Sequence, residues 1–378
     1  MTQRQQQLAP RRFDVLAILA GTSLVAVLGV PWYGVTHGFH SGLWAVLGLF
    51  LAWNGLSITA GYHRLWSHKS YSAHALPRFI FALGGALAIQ NSIRDWCADH
   101  RHHHRYTDDP DLDPYSSRRG LWYSHIGWML RDYPATIKDY SNIADLDRDP
   151  IVTWQHKHYA ALALTLNILL PLAIGWLFSD PVGGLLLLGF LRLVIGHHTT
   201  FMINSLAHAW GSQPYSDKNS SRDNPLLALV TYGEGYHNFH HTFQWDYRNG
   251  VRWYQFDPTK WLITAMSWFN LTYHLKRVAP EVIEQSRVKM QLLHASAQVS
   301  RCRTTTKEQW LKLLETEHEQ LVQMLNDWAH CRQRWLELKA AKLKQRWDET
   351  ELHRQLLELE SNLKLQRRQW RLLTQQFT

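Results

Sequence analysis

Four stretches of this 378-residue chain are apolar for about the 20 residues that a helix needs to cross the roughly 30 Å hydrocarbon core of a bilayer. They are Phe13 to Trp32, Leu43 to about Ala60, Tyr159 to Phe178, and Val182 to about Leu206. The first is preceded by Arg11 and Arg12, as a signal peptide would be, but its apolar run is long and lacks a small-x-small cleavage site, so it reads as a retained span. The short connections Tyr33 to Gly42 and Ser179-Asp180-Pro181 contain no Lys or Arg, whereas the N-terminus and the Gly61 to Lys157 stretch contain many. The positive-inside rule then predicts two hairpins, with both short loops outside and both termini in the cytosol. A fifth apolar stretch, Leu76 to Ile89, is short for a crossing and reads as a helix lying on the cytosolic membrane face.

The last hundred residues keep a different period. Apolar positions at 3-4 spacing run from Leu314 through Leu321, Met324, Trp328, Cys331, Trp335 and Leu338. They pause at the polar Lys342, Gln345 and Glu349 and resume at Leu352, Leu356, Leu359, Leu363, Trp370 and Leu373 in one heptad register. No Gly or Pro follows Pro280. The predicted architecture is an all-α integral membrane protein. It has four transmembrane helices as two hairpins and a cytosolic helical metal-binding cap over 1–280, and a coiled-coil-like helical extension over 281–378. Self-association through the apolar seam of that extension is one expectation.

Composition refines the picture in three places. Hydrophobic residues make up 46% of the chain and tryptophan occurs 19 times, yet the mean hydropathy of -0.31 requires a large wet part joined to the membrane part. The net charge of +9 comes from basic residues that flank apolar spans, which points to anionic lipid headgroups as partners and not to nucleic acid. Cys97, Cys302 and Cys331 are odd in number and widely spaced, as reduced thiols facing a cytoplasm would be. A bacterial plasma membrane is the expected location.

Chemistry enters with three histidine clusters: His63-Arg-Leu-Trp-Ser-His68, His100-Arg-His102-His103-His104, and His237-Asn-Phe-His240-His241. Imidazole is the commonest metal ligand among side chains. In the His-x-x-His-His clusters, positions i, i+3 and i+4 fall within about one-third of a helix circumference, so three imidazoles can converge from one face. All three clusters fall on the cytosolic side, and the fourth span ends there with Asn204 and His208 at i, i+4. A polynuclear metal site follows from the residues alone.

Gly61-Tyr-His63-Arg-Leu-Trp-Ser-His68, Asp99-His100-Arg-His-His103-His104 and Gly233-Glu-Gly-Tyr-His237-Asn-Phe-His240-His241 resemble the histidine boxes of the integral-membrane Δ9 fatty acyl desaturases, the stearoyl-CoA desaturase family. The resemblance runs from about Phe13 to Pro280 and includes Ser117-Arg-Arg-Gly120 and Ser124-His-Ile-Gly-Trp128. It implies an oxygen-dependent desaturase that introduces a cis double bond, at Δ9, into an acyl-CoA or acyl-lipid. It also implies nine ligands for two iron ions: His63, His68, His100, His103, His104, His208, His237, His240 and His241. Asn204 would complete one iron's shell through a water. Dioxygen would be the co-substrate. No His-Pro-Gly-Gly cytochrome b5 signature occurs, so electrons are expected from a separate ferredoxin, cytochrome b5 or flavin reductase.

Metal-bound imidazoles usually donate their second N–H to a carboxylate or carbonyl, and Asp99 and Glu234 are the candidates by position. His102 reads as a non-ligand, and the acidic run Asp108 to Asp113 as a solvated turn and not a calcium loop. For the substrate, Leu47 and Leu51 are placed to stop the methyl end of the chain. Gln90 and Asn91 match a region that contacts the thioester end in the family, and Arg131 and Lys138 could meet an anionic headgroup. Ala98 stands where the family has an arginine, which keeps acyl-lipids open as substrates. Two other functions compete: a diiron fatty acyl hydroxylase, which branches from the same radical, and a membrane metal sensor or transporter, which predicts ligands strung along the spans.

Overall fold

The computed structural model describes residues 9–301, 306–340 and 346–377. Among these, four helices are long and apolar enough to cross a membrane: α1 (Phe13–Thr36), α2 (Ser41–Ser67), α7 (Tyr159–Leu177) and α8 (Pro181–His208). The chain is thus a multi-pass membrane protein; three spans fall within about four residues of their expected places, and the second runs on to Ser67, seven residues past its expected end. Asp180 caps α8 through the Gly183 N–H at 2.8 Å and accepts the Tyr33 hydroxyl at 2.6 Å, which ties the two short loops together.

Between the hairpins lie α3 (Ala75–Leu87), α4 (Ile93–Tyr106), the short α5 (Leu121–His125) and α6 (Pro150–Lys157). After α8 come α9 (Pro225–Val230), α10 (His237–Thr242) and α11 (Pro258–Trp268). Strands β1 (Ser72–Ala73) and β2 (Thr272–Tyr273) pair antiparallel, Ser72 opposite Tyr273, and bring the end of this unit back to the first histidine cluster. The core beneath the cap gathers Ile58, Tyr62 and Trp66 of α2, Phe81 of α3, Ile93 and Cys97 of α4, Val152 of α6 and Ile263 of α11.

Close backbone approach sets the position of α2. A Cβ on Gly85 would sit 2.0 Å from the Tyr62 ring, and one on Gly55 would sit 2.1 Å from that of Tyr232. Only the absence of a side chain lets α3 and the Tyr232 ring press against α2. The last eleven residues of α2, Ser57–Ser67, are π-helical. Such turns are rare and cluster at functional sites.

Compactness divides the chain into one unit holding residues up to Ser212 together with Lys218–Arg277, and a second holding Gln213–Asp217 and Val278–Thr378. Within the second unit, α12 (Pro280–Arg301), α13 (Lys307–Ala340) and α14 (Arg346–Gln375) form an up-down-up bundle. Gln285 bonds Asn326, Gln366 bonds Glu317 and Trp370 bonds Gln291. The heptad seam therefore closes on itself: Leu314, Leu321, Leu325, Leu363 and Trp370 share one core with Val288 and Val299, and Leu356 is buried as well. The seam expected to join two chains is filled from within one. Cys302, Lys342 and Gln345 lie outside the described residues, as does the side chain of Glu349.

If the hairpins are oriented by the positive-inside rule, cysteines replacing Ser41 or Ser179 label only from the exterior, and one replacing Asp111 labels only from the cytosol. Labelling of all three from one side would remove the hairpin topology.

Candidate metal centre

The first cluster explains the π-helix. Five residues along an α-helix turn a side chain through about 140° from its starting direction, which would splay His63 and His68 apart. A π-turn bonds residue i+5 back to residue i, and the His68 N–H does donate to the His63 carbonyl at 3.1 Å. Both imidazoles then share a side, with ring centroids 4.8 Å apart.

The other two clusters sit on ordinary helices. Ser92 caps α4, accepting from the Asp95 N–H at 3.3 Å. The lead-in to α10 is a tight turn: Gly233 has φ +98°, with Asp257 2.6 Å from where its Cβ would stand, and a Cβ on Gly235 would meet the Ala228 nitrogen at 2.2 Å. These two glycines let the chain swing Glu234 inward ahead of the histidines.

Nine imidazoles gather into two groups. His63, His68, His100, His104 and His240 form one; His103, His208, His237 and His241 form the other, and within each group the ligand atoms lie within 4.8 Å of one another. Each His-x-x-His-His triplet splits. Its i and i+4 members enter one group and its i+3 member the other, so α4 gives two imidazoles to the first group and one to the second, while α10 does the reverse. The expectation of three imidazoles converging from one face is corrected: the spread of about 100° between i+3 and i+4 bridges two sites. The groups adjoin, with His104 stacked on His241 at 4.3 Å.

The spacing fits a metal. Facing Nε2 pairs lie 3.0 Å apart for His63 and His240, 2.9 Å for His68 and His100, 3.1 Å for His208 and His237 and 3.0 Å for His237 and His241. Two nitrogens each roughly 2.1 Å from one ion, at right angles, would stand about 3 Å apart. His63 Nδ1 faces a Glu234 carboxylate oxygen at 2.9 Å, and His103 Nδ1 faces Asp113 at 2.8 Å. Those acceptors hold the proton on Nδ1 and leave an Nε2 lone pair pointing inward. Lone pairs aimed at one another call for a cation between them.

Sequence reasoning placed Glu234 beside an imidazole and missed Asp113. Asp108 and Asp113 are buried and not part of a solvated turn; only the intervening residues face outward. Asp113 also accepts the Asp108 and Tyr115 N–H groups. Asp108 accepts from Ser220, whose hydroxyl lies 2.9 Å from His208 Nδ1. The signal lay in the spacing: Asp113 is ten residues past His103, within reach of one tight turn. Asp99, the other carboxylate singled out, pairs with Lys138 at 3.3 Å and not with an imidazole. Burial pushes its carboxyl up to about 6 despite that lysine. His102 packs on Tyr106, away from both groups.

Glu234 belongs to a wholly buried network. Burial alone would raise its carboxyl, but His63 and Arg64 hold it down at about 2. Arg64 donates to Glu234 at 2.8 Å and to Asp257 at 3.1 Å, and Asn249 donates to Glu234 at 2.6 Å.

A cavity of about 350 Å³ opens beside the histidines. His63 and His100 reach it from the first group and His237 from the second, with Asn204 alongside. Val15, Ile18, Leu19, Ile58, Phe201 and Ile203 supply an apolar wall; Gln90, Asn91, Arg131 and Lys138 line it as expected. Gln90 is held between the Thr200 hydroxyl and the Trp96 indole, and Trp96 stacks on His100. Leu47 and Leu51 do not line the cavity. Leu47 is buried with Leu43, Phe50, Leu87 and Leu187, and Leu51 packs against that core. Leu47 lies about 16 Å of helix from Ile58, the α2 lining residue nearest to it. Ala98 is packed in the cap core, so the missing arginine is not a gap in the cavity wall.

Residues 41–277 match the family model described as fatty acid desaturase. The chain is 45% identical over 276 residues to acyl-CoA desaturase 1 of Saccharomyces cerevisiae, a match that covers 71% of this chain and 54% of that protein. It is 44% identical over 273 residues to a probable acyl-CoA desaturase of Schizosaccharomyces pombe, covering 72% and 56%. It is 35% identical over 278 residues to the human stearoyl-CoA desaturase, covering 72% and 76%. The chain thus spans about half the length of the two yeast relatives it matches. These relatives are eukaryotic and give no support to a bacterial plasma membrane.

Two measurements check the centre. Asp113→Asn, which removes the acceptor that orients His103, is expected to weaken metal affinity by about 10–100-fold, while His102→Ala leaves bound metal per chain unchanged; titration with a chelator reads both. Equal losses would mean that the ligand register within the His100–His104 cluster is misassigned. Burial and neighbouring imidazoles also hold His68, His100, His104, His237, His240 and His241 well below the ordinary imidazole range. In the unfolded chain they titrate near 6.5, so below about that pH the unfolded state takes up protons that the folded state refuses. Stability of the metal-free chain should therefore drop steeply as pH falls from about 7 toward 5. A flat unfolding midpoint over that window would contradict the buried neutral imidazoles.

Proposed function

The chain belongs to the fatty acid desaturase family, and from that membership we propose that it is an oxygen-dependent acyl-CoA desaturase that places a cis Δ9 double bond in a saturated chain. The cavity is the observation that carries this reading: an apolar slot reached by ligands of both histidine groups, with cationic side chains among its lining. Its volume of about 350 Å³ falls in the range of small-molecule sites. The relatives named as acyl-CoA and stearoyl-CoA desaturases favour the coenzyme A thioester over an acyl-lipid.

Two iron ions, held by the five-histidine and four-histidine groups, would supply the oxygen activation that no side chain performs. Each of two neighbouring methylenes gives up one hydrogen. Dioxygen takes these together with two electrons and two protons and leaves as two waters. The electrons come from outside, through a ferredoxin, cytochrome b5 or flavin reductase. The protein's part is orientation and exclusion of water. Glu234 and Asp113 keep protons on Nδ1 of His63 and His103, so that both rings present Nε2 inward. Gln90, fixed at both ends, lines the slot near the thioester, and Arg131 and Lys138 offer charge to an anionic headgroup. The lipid bilayer is a further partner, and the metal site faces the cytosol.

Expression in a host lacking its own Δ9 desaturase tests the reading. Gas chromatography of total fatty acids should show Δ9 monoenes with the wild-type chain and none with His104→Ala at equal membrane abundance. Hydroxylated chains in place of monoenes would move the assignment to a hydroxylase.

A further inference from the structure

After α8 the chain does not simply leave the membrane. Helix α9 is apolar on its outward side as well as its inward one: Leu226, Leu229 and Val230 are 62%, 54% and 47% exposed, while Leu227 and Ala228 are buried. It packs beside the cytosolic half of α8. Its depth is set by α2. Tyr232, two residues past α9, donates its hydroxyl to the Leu51 carbonyl at 2.9 Å, and its ring presses against Gly55. Counting from Ser41 as the outer end at 1.5 Å per residue, Gly55 stands about 21 Å into a core of roughly 30 Å, whose inner boundary falls near Gly61. The Tyr232 ring is therefore at hydrocarbon depth. On the other flank of α2, the Trp53 indole donates to the Ile80 carbonyl of α3 at 3.1 Å, and α3 exposes Leu76, Phe79 and Ile80.

Helix α11 begins slightly closer to the cytosol. Thr259 donates to the Tyr232 carbonyl at 2.8 Å and bonds the Thr59 hydroxyl at 2.7 Å, about 27 Å along α2 and so near the inner boundary. From there α11 exposes Trp261 at 46% and Trp268 at 76%, Phe269 just past it is 75% exposed, and the segment before it exposes Trp253 at 88% and Tyr254 at 60% beside Arg252. Trp261 and Trp268 are seven residues apart and share a face. Tryptophan and tyrosine favour the headgroup level, where an apolar ring and a polar edge are both satisfied.

We propose that α9 and the aromatic face of α11 form a lipid-seated shelf, α9 in the acyl region and α11 at the headgroups of the cytosolic leaflet. Helix α10, with His237, His240 and His241, hangs between them. With α3 on the opposite flank of α2, the histidine cap is then fastened to the bilayer on two sides. Lipid is the occupant because both surfaces lie at membrane depth and continue the outward face of α8; an apolar patch of this kind facing water would be unusual.

The test uses the full-length chain in lipid nanodiscs, with Cys302→Ser and Cys331→Ser and a bimane fluorophore on one added cysteine. Leu229→Cys and Trp268→Cys are the probes, with Leu226→Cys as a second position on α9 should the first fold poorly. Leu164→Cys on α7, 56% exposed, is the lipid control, and Asp111→Cys the water control. Nitroxide high on the phospholipid acyl chain should quench the α9 label nearly as well as the Leu164 label. Nitroxide on the headgroup should quench the Trp268 label best, and both should exceed the Asp111 label at least threefold. Quenching no greater than at Asp111 would overturn the proposal. So would an intermolecular disulfide at position 229 without lipid quenching, which would assign the face to a second copy.

Discussion

Imidazole nitrogens that face one another at about 3 Å repel wherever both present lone pairs, and a cation between them turns that repulsion into ligation. The rest of the unit is built around that demand. Four separate elements deliver the rings: the π-helical end of α2, the C-terminal half of α4, the C-terminal end of α8 and the short α10. Sequence-distant helices must then agree to a fraction of an ångström. The reciprocal split of the two His-x-x-His-His triplets makes that agreement mutual, because neither group can form from one helix alone and neither helix can shift without disturbing both.

A second layer fixes which nitrogen faces inward. Glu234 and Asp113 each face an imidazole Nδ1, and each is in turn held by donors that do not move: Arg64 and Asn249 for Glu234, backbone N–H groups for Asp113. Ser220, set by Asp108, does the same for His208 without a direct charge. Carboxylates this deep also offset the charge that metal ions bring to a ring of neutral ligands. Burial keeps the imidazoles neutral, so the site is ready for metal near neutral pH and loses that readiness on acidification.

The spans were legible because a bilayer admits few solutions, and about 20 apolar residues with basic flanks is one of the clearest patterns in a sequence. The nine histidines were legible from spacing and resemblance together. What sequence spacing did not carry was handedness of approach: His63 and His68 at i, i+5 make sense only once the backbone is π-helical, and helical periodicity assumes it is not. Asp108 and Asp113 were misread because an acidic run looks solvated unless a buried imidazole is known to need it. Helix α9, six residues long, is too short for any periodicity to declare itself. In the extension the heptads were read correctly as helix but not as three helices closing on one core, since a heptad seam is the same whether its partner is another chain or the next turn of its own.

Arg192 marks a polar layer between the cavity and the packed Leu47 and Leu51. This guanidinium is wholly buried within α8, yet among the described residues no carboxylate answers it. It donates to the Asn54 amide and Leu87 carbonyl through one nitrogen, to the Asn167 amide through another, and to the Leu188 carbonyl through Nε. A charge in the bilayer interior is costly and persists where its donors are satisfied; here it ties α2, the end of α3, α7 and α8 at one level. On α2 that level falls between Leu51 and Ile58, and the cavity lining stops at Ile58. Four elements hold this polar layer in common, and on α2 it lies between the cavity lining at Ile58 and the packed Leu47 and Leu51.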